Sequence, residues 1–197
     1  MEKILYLMRH GQTLFNLEHK IQGWCDSPLT ELGINQAKIA GRYFTDNKIK
    51  LDHCYASTSE RASDTLELVT GGKLPYIRLK GIKEWNFGRF EAMDELLNPP
   101  LPYKDFFVKY GGEDQEEVGE RVAKTLSQVM QQEDHHSVLA VSHGGAMVCF
   151  LRYYKQPLPH EMKNCTILKL KYEDGQFTLL DYFEPDFSEL DQLILSS

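Results

Sequence analysis

Near its start the chain runs Ile4-Leu5-Tyr6-Leu7-Met8 with no charged residue, then turns at once to Arg9-His10-Gly11. An apolar run this short and unbroken reads as a buried strand. The carboxyl ends of such strands are where ligands bind in open α/β sheets. Far down the chain the same kind of junction returns: Val138 to Val141 form an apolar run and Ser142-His143-Gly144-Gly145 follow it. In a parallel sheet both strand ends can meet at one edge, bringing two histidines together.

Between these junctions strand-like and helix-like segments alternate, which points to layered α/β architecture. Thr30 suits a helix N-cap, with Ile34, Ala37, Gly41 and Phe44 on one face of the helix after it. A short strand is expected near residues 52–56. A helix follows from about Glu60, with Ala62, Thr65, Leu66 and Val69 on its inner face, and then a strand near residues 76–80. The proline- and aromatic-rich stretch after Ala92 is expected to be irregular or built of short helices. Val118, Val122, Leu126 and Val129 mark another helix, whose acidic opening suits the positive end of the helix dipole. Gly144-Gly145 are read as a tight turn into a helix. The chain closes in a hairpin about Asp174-Gly175, and the acidic tail after Pro185 packs as a short helix or frays. The expected fold is α/β: a single-domain layered sandwich over residues 1–197, with a largely parallel central sheet flanked by helices, a C-terminal β-hairpin, and a lid-like insertion at about residues 92–112.

The balance of 22 basic against 29 acidic side chains, net -7, argues against a general nucleic-acid or anionic-membrane surface. It still permits a local phosphate pocket, which needs only a few cations. The opening residues carry too short an apolar run for a signal peptide, and no window reaches the length of a membrane span. Cys25, Cys54, Cys149 and Cys165 are scattered, without a C-x-x-C pair or metal-ligand spacing. They are read as reduced thiols of a cytoplasmic protein, and no metal or cofactor is expected.

An arginine beside a histidine suits an anionic substrate, because the guanidinium fork grips two phosphate oxygens while the imidazole attacks phosphorus. Ser57 and Arg61 fall at a loop-to-helix junction, where free N–H groups and the helix dipole favour anions. Four segments therefore converge on one expected pocket: Arg9-His10, Ser57 to Arg61, His143-Gly144, and the stretch around Glu84. Glu84 lies between Ile82 and Trp85, and partial desolvation there suits a carboxyl that acts as a general acid.

Six segments in this order resemble the histidine phosphatase superfamily on its phosphoglycerate mutase-like branch: RHGQTLFN (9–16), QGWCDSPLTELGINQA (22–37), STSERASDT (57–65), EWNFGRFE (84–91), GGEDQEEVGERV (111–122) and SHGG (142–145). The resemblance implies that His10 is a nucleophile passing through a phosphohistidine, and that Arg9, Arg61 and His143 bind the transferring phosphoryl group. It implies that Glu84 protonates the leaving oxygen. Asn16, Gln22, Gly23, Ser57 and the backbone of Gly144 are the implied substrate-binding positions, and no metal is implied. The family often has Glu-Gly where this chain has Glu91-Ala92, a change expected to alter loop geometry and leave the chemistry alone.

The segment after Glu91 separates the activities that share these residues. From Ala92 to Glu117 its cations are Lys104 and Lys109, set against seven carboxylates, a balance that disfavours a small polyanion such as bisphosphoglycerate. A metal-independent phosphomonoesterase acting on a small phosphorylated metabolite is therefore expected. The alternatives are a cofactor-dependent phosphoglycerate mutase and a protein that binds a phosphorylated ligand without turnover. Apolar residues of the same segment, among them Leu96, Leu101, Tyr103 and Phe107, either wall the pocket for an apolar leaving group or pack over the sheet. Oligomeric state is left open.

Overall fold

Strand β1 (Lys3–Arg9) shows why its interior is apolar on both sides: Leu5 and Leu7 enter one hydrophobic core, while Tyr6 and Met8 enter another. A strand sealed on both faces loses the polar-apolar alternation of a surface strand. The computed structural model describes residues 2–188, so most of the acidic tail after Pro185 lies outside the described residues.

After β1 come the short helix α1 (Leu14–Leu17), α2 (Glu31–Asp46), β2 (His53–Ser57), α3 (Glu60–Thr70) and β3 (Tyr76–Leu79). A run of loops and 3-10 turns leads to α4 (Gln115–Met130), β4 (Ser137–Ser142), α5 (Gly144–Tyr153), β5 (Ile167–Glu173) and β6 (Gln176–Phe183). The six strands form one sheet in the order β3-β2-β4-β1-β5-β6. The first four are mutually parallel, β5 runs antiparallel to β1, and β6 runs antiparallel to β5. Helices α4 and α5 cover the face of Leu5 and Leu7 through Val122, Leu126, Met147 and Phe150. Helices α2 and α3 cover the other through Ala37, Phe44, Ala62 and Leu66. Asp174 and Gly175 both take positive φ, 51° and 78°, as a two-residue hairpin turn requires.

Two local expectations change. The buried stripe of α2 runs through Gly33, Gln36, Ala37, Ala40, Gly41 and Phe44, leaving Ile34 only half-buried. Gly144 and Gly145 are the first residues of α5, with His143 as N-cap, and do not form a turn before it. In the stretch after Ala92, Phe107 is fully buried and stacks edge-on with Phe87, Phe90, Tyr103 and Phe106. Leu96 and Leu101 are instead 92% and 72% exposed. Among the described residues no helix is long and apolar enough to cross a membrane.

The loop leaving β1 lies directly on the first turn of α2. A Cβ on Gly33 would stand 2.0 Å from the carbonyl oxygen of Gln12, and one on Gly11 would stand 2.6 Å from the carbonyl oxygen of Gly33. Both contacts are backbone to backbone and have no side chain to give way. Gly33→Ala is therefore expected to destabilise the fold by about 1–3 kcal/mol, read as a lowered urea midpoint with an unchanged slope.

Candidate active site

The parallel register of β1 and β4 pairs Met8 with Val141 and Arg9 with Ser142, so the next residues along the two chains, His10 and His143, emerge level with each other. The His10 N–H donates to the Ser142 carbonyl at 3.1 Å, and the two imidazole centroids are 5.3 Å apart. Nδ1 of His10 lies 2.7 Å from the Gly11 carbonyl oxygen. A carbonyl only accepts, so Nδ1 carries the proton and Nε2 keeps the lone pair. His143 is fully buried, with Nε2 2.8 Å from Ser57 Oγ. The other ring nitrogen of His143, Nδ1, is buried and without a partner.

Arg61 enters from the first turn of α3 and is almost wholly buried. It donates to the carbonyls of Gly23 and Cys25 at 2.8 and 2.9 Å and pairs with Asp26 at 2.8 Å. Arg9, from the end of β1, donates to the Met162 carbonyl. The Nε atoms of both arginines are buried without partners, so N–H donors remain for an anion. Burial first, then the two guanidinium charges, hold His10 well below its ordinary pKa of 6.5. Burial and Arg61 do the same to His143.

Glu84 reaches the start of α5. Its Oε1 accepts from the Trp85 and Ala146 N–H groups at 2.8 and 2.7 Å, and Oε2 accepts from Gly145 at 3.1 Å. A Cβ on Gly145 would stand 2.7 Å from Oε1, so a glycine is what admits the carboxylate to the helix end. The Glu84 backbone is itself clamped: its carbonyl accepts from Trp24 Nε1 at 2.8 Å and from Arg121 at 3.0 Å. Arg121 also holds the Gly81 and Lys83 carbonyls and pairs bidentately with Glu113, both contacts at 2.8 Å.

These groups border a cavity of about 180 Å³ lined by Arg9, His10, Asn16, Gln22, Arg61 and Glu84. Asn16 Oδ1 accepts from the Thr13 N–H and from Asn164, which leaves its amide N–H groups to the cavity. Gln22 is braced by Thr13 and Ser27, both at 3.0 Å, and keeps one amide N–H unspent. Gly23 takes φ 58° and offers its carbonyl to Arg61. Gly144 sits beside Arg9, where a Cβ would meet Nε at 3.4 Å. Sequence reasoning missed several supporting groups. Glu91 gathers the N–H groups of Trp24, Cys25 and Phe87, Asp26 pairs with Arg61, and Glu113 with Arg121 clamps the Glu84 loop. All four lie inside the quoted segments, yet spacing alone does not reveal partners so distant in sequence.

His53, Asp134 and His135 form the one group among the described residues with three potential metal ligands close together. It lies at the amino ends of β2 and β4, away from the cavity, and its atoms are already paired: His53 and His135 each meet Asp134, at 2.9 and 2.8 Å. His135 is buried, with its Nε2 2.6 Å from the Tyr55 hydroxyl. The thiol of Cys25 is pushed up by burial and by Glu91, which works against reactivity.

Ala92 takes φ 65°, a left-handed conformation that glycine adopts freely, so the Glu-Ala pair departs from the family where the backbone most favours glycine. Ala92→Gly is expected to cost nothing or to stabilise by up to about 1 kcal/mol, measured by thermal unfolding. A second expectation concerns pH. Because folding lowers the pKa of His10 and His143, the unfolded chain binds more protons than the native one as pH drops below about 6.5. Each histidine then removes about 1.4 kcal/mol of stability per pH unit. Denaturation between pH 7 and pH 5 should show that slope partly flattened in His143→Gln.

The profile of the histidine phosphatase superfamily (branch 1) matches residues 5–185. A probable phosphoglycerate mutase of Yersinia pestis is 28% identical over 186 residues, covering 87% of this chain and 86% of that protein. Among solved structures, a phosphoglycerate mutase from Bacillus anthracis superposes with a TM-score of 0.82 at 26% identity, over 97% of this chain and 96% of that one. A phosphoserine phosphatase from Entamoeba histolytica, solved with 3-phosphoglyceric acid, gives 0.73 at 28% identity, over 92% and 97%. With the family profile spanning both strand junctions and every segment around the cavity, this chain belongs to the histidine phosphatase superfamily.

Proposed function

We propose that this protein is a metal-independent phosphomonoesterase that works through a phosphohistidine on His10. The observation that carries this reading is the state of His10: buried, held as the Nδ1–H tautomer, kept neutral, and flanked by two arginines with unspent donors. Nε2 attacks phosphorus as the bond to the ester oxygen breaks, and Glu84 delivers a proton to the leaving alkoxide. Water then attacks the phosphohistidine while Glu84 takes its proton, and the N–P bond breaks to release phosphate and restore neutral His10. Arg9, Arg61 and His143 carry the charge of the phosphoryl group in flight, the main task in this chemistry. Asn16, Gln22, Ser57, Gly23 and the Gly144 backbone serve binding, in part by bracing those side chains. Residues 92–112 act as a lid-like wall of the pocket. The four free thiols support a cytoplasmic setting.

A phosphatase is preferred over a mutase because the charged lining that the segment after Glu91 adds to the cavity is a carboxylate, Glu95, which repels a second phosphate. Phosphate release from a panel of phosphomonoesters, in chelator and without bisphosphoglycerate, tests the reading. Release is expected from several esters, and His10→Ala is expected to lower it by a factor on the order of a thousand or more. Glu84→Gln should slow turnover and accumulate acid-labile phosphate on the protein. Unchanged activity in His10→Ala would remove the nucleophile assignment. Conversion of 3-phosphoglycerate to its 2-isomer, only when primed with bisphosphoglycerate, would assign a mutase.

A further inference from the structure

At the end of the sheet opposite the cavity, β2 and β4 begin side by side, with His53 in register with Val138. Asp52 ties the two chains together there. Its carboxylate accepts from the His136 and Ser137 N–H groups at 2.9 and 2.8 Å, and its own N–H donates to the Ser137 carbonyl at 2.8 Å. This fixed backbone carries His53 on one side and Asp134 with His135 on the other. One possible ligand atom from each of the three lies within 4.8 Å of the other two. The imidazoles stack at 3.8 Å, 8° from parallel, and both meet one carboxylate: Nε2 of His53 faces Oδ2 and Nδ1 of His135 faces Oδ1. Burial is graded across the group. His135 is buried and its second ring nitrogen is held by Tyr55, whereas the side chains of His53 and Asp134 are 36% and 71% exposed. A histidine that ligates a metal is oriented in this way, by a partner on its other nitrogen. The exposed carboxylate gives an ion a path of entry and leaves room for water as a further ligand.

We infer that His53, Asp134 and His135 form a site for one divalent transition cation of the zinc class, held by two imidazoles, one carboxylate and water. Imidazole nitrogen selects such an ion over magnesium or calcium, which take oxygen ligands. The ion replaces the two contacts that the histidines now make to Asp134. His135 binds through Nδ1 and its proton moves to Nε2, where the Tyr55 oxygen accepts it. His53 binds through Nε2, its proton moves to Nδ1, and its half-exposed ring turns out of the stack so that the lone pair meets the ion. Strand β2 alone separates His53 from Ser57 by roughly 13 Å, and β4 runs between His135 and His143. The ion therefore clasps β2 to the loop before β4 and takes no part in phosphoryl transfer.

Zinc chloride titrated calorimetrically into the chelator-treated, desalted protein is expected to bind at one equivalent, with a dissociation constant on the order of micromolar, while magnesium chloride gives no binding heat. With free zinc a hundredfold above that constant, the melting temperature should rise by about 5–10 °C. His53→Asn and Asp134→Asn change side chains that reach solvent, and circular dichroism checks that both variants keep the native fold. Each should weaken zinc binding at least about tenfold and shrink the rise in melting temperature, and the shape-conserving Tyr55→Phe should weaken it about tenfold. Failure to bind one equivalent, magnesium bound as tightly as zinc, or a zinc affinity that either solvent-facing substitution leaves unchanged would overturn the inference. The last result would place the zinc on other imidazoles, such as His10 and His143. None of these outcomes bears on the phosphatase reading, whose assay is run in chelator.

Discussion

The pairing of β1 with β4 lies at the centre of the sheet with both faces sealed, and the strand order reverses across it. The chain leaves β1 towards β2, on the far side of β4, and leaves β4 towards β5, on the far side of β1. A crevice opens at the carboxyl ends of two strands whose connections part in this way. The register Arg9 to Ser142 then places one histidine from each strand in that crevice. A one-residue slip would turn Leu5 and Leu7 out of their core, so hydrophobic packing on both faces enforces the placement of two polar side chains beyond it.

Burying two guanidinium groups beside two imidazoles is expensive by itself, and the surroundings offset the cost unevenly. Arg61 is met by two carbonyls and by Asp26, whereas Arg9 takes the Met162 carbonyl. The charge left uncompensated does two things at once. Added to the burial of the ring, it keeps His10 neutral, and it leaves donors for a phosphoryl group. The same electrostatics that weakens the fold in acid thereby prepares the proposed nucleophile.

The proposed acid-base residue depends on a longer chain of support. Glu84 is anchored at its carboxylate by the start of α5 and at its backbone by Trp24 and Arg121, and Arg121 is aimed by Glu113 at the head of α4. Four separate stretches of chain must be in place before that carboxyl stands in the cavity. A rigid side chain at the end of such a network is what transfer of a proton to a leaving oxygen demands.

Much of this was legible from residues alone. The apolar runs at Ile4–Met8 and Val138–Val141, each ending in a histidine, announced a parallel sheet and a shared edge, and the inner faces of α3 and α4 followed from their apolar spacing. On α2 the expected face holds for Ala37, Gly41 and Phe44 and fails at Ile34, because close backbone contact selects Gly33, which carries no hydrophobic signal. Glu91, Asp26, Glu113 and Arg121 carry ordinary surface chemistry until their partners arrive from distant segments. The cluster of His53, Asp134 and His135 was invisible for the same reason: its members meet only through the pairing of β2 with β4. By itself, then, the sequence determined the layered α/β core and the residue types at the strand ends, since burial periodicity and strand termination are local properties of the chain. Only the tertiary structure decided the tautomer of His10, the anchoring of Glu84 and the meeting of His53 with Asp134 and His135, because each is set by hydrogen bonds and burial between residues far apart in sequence.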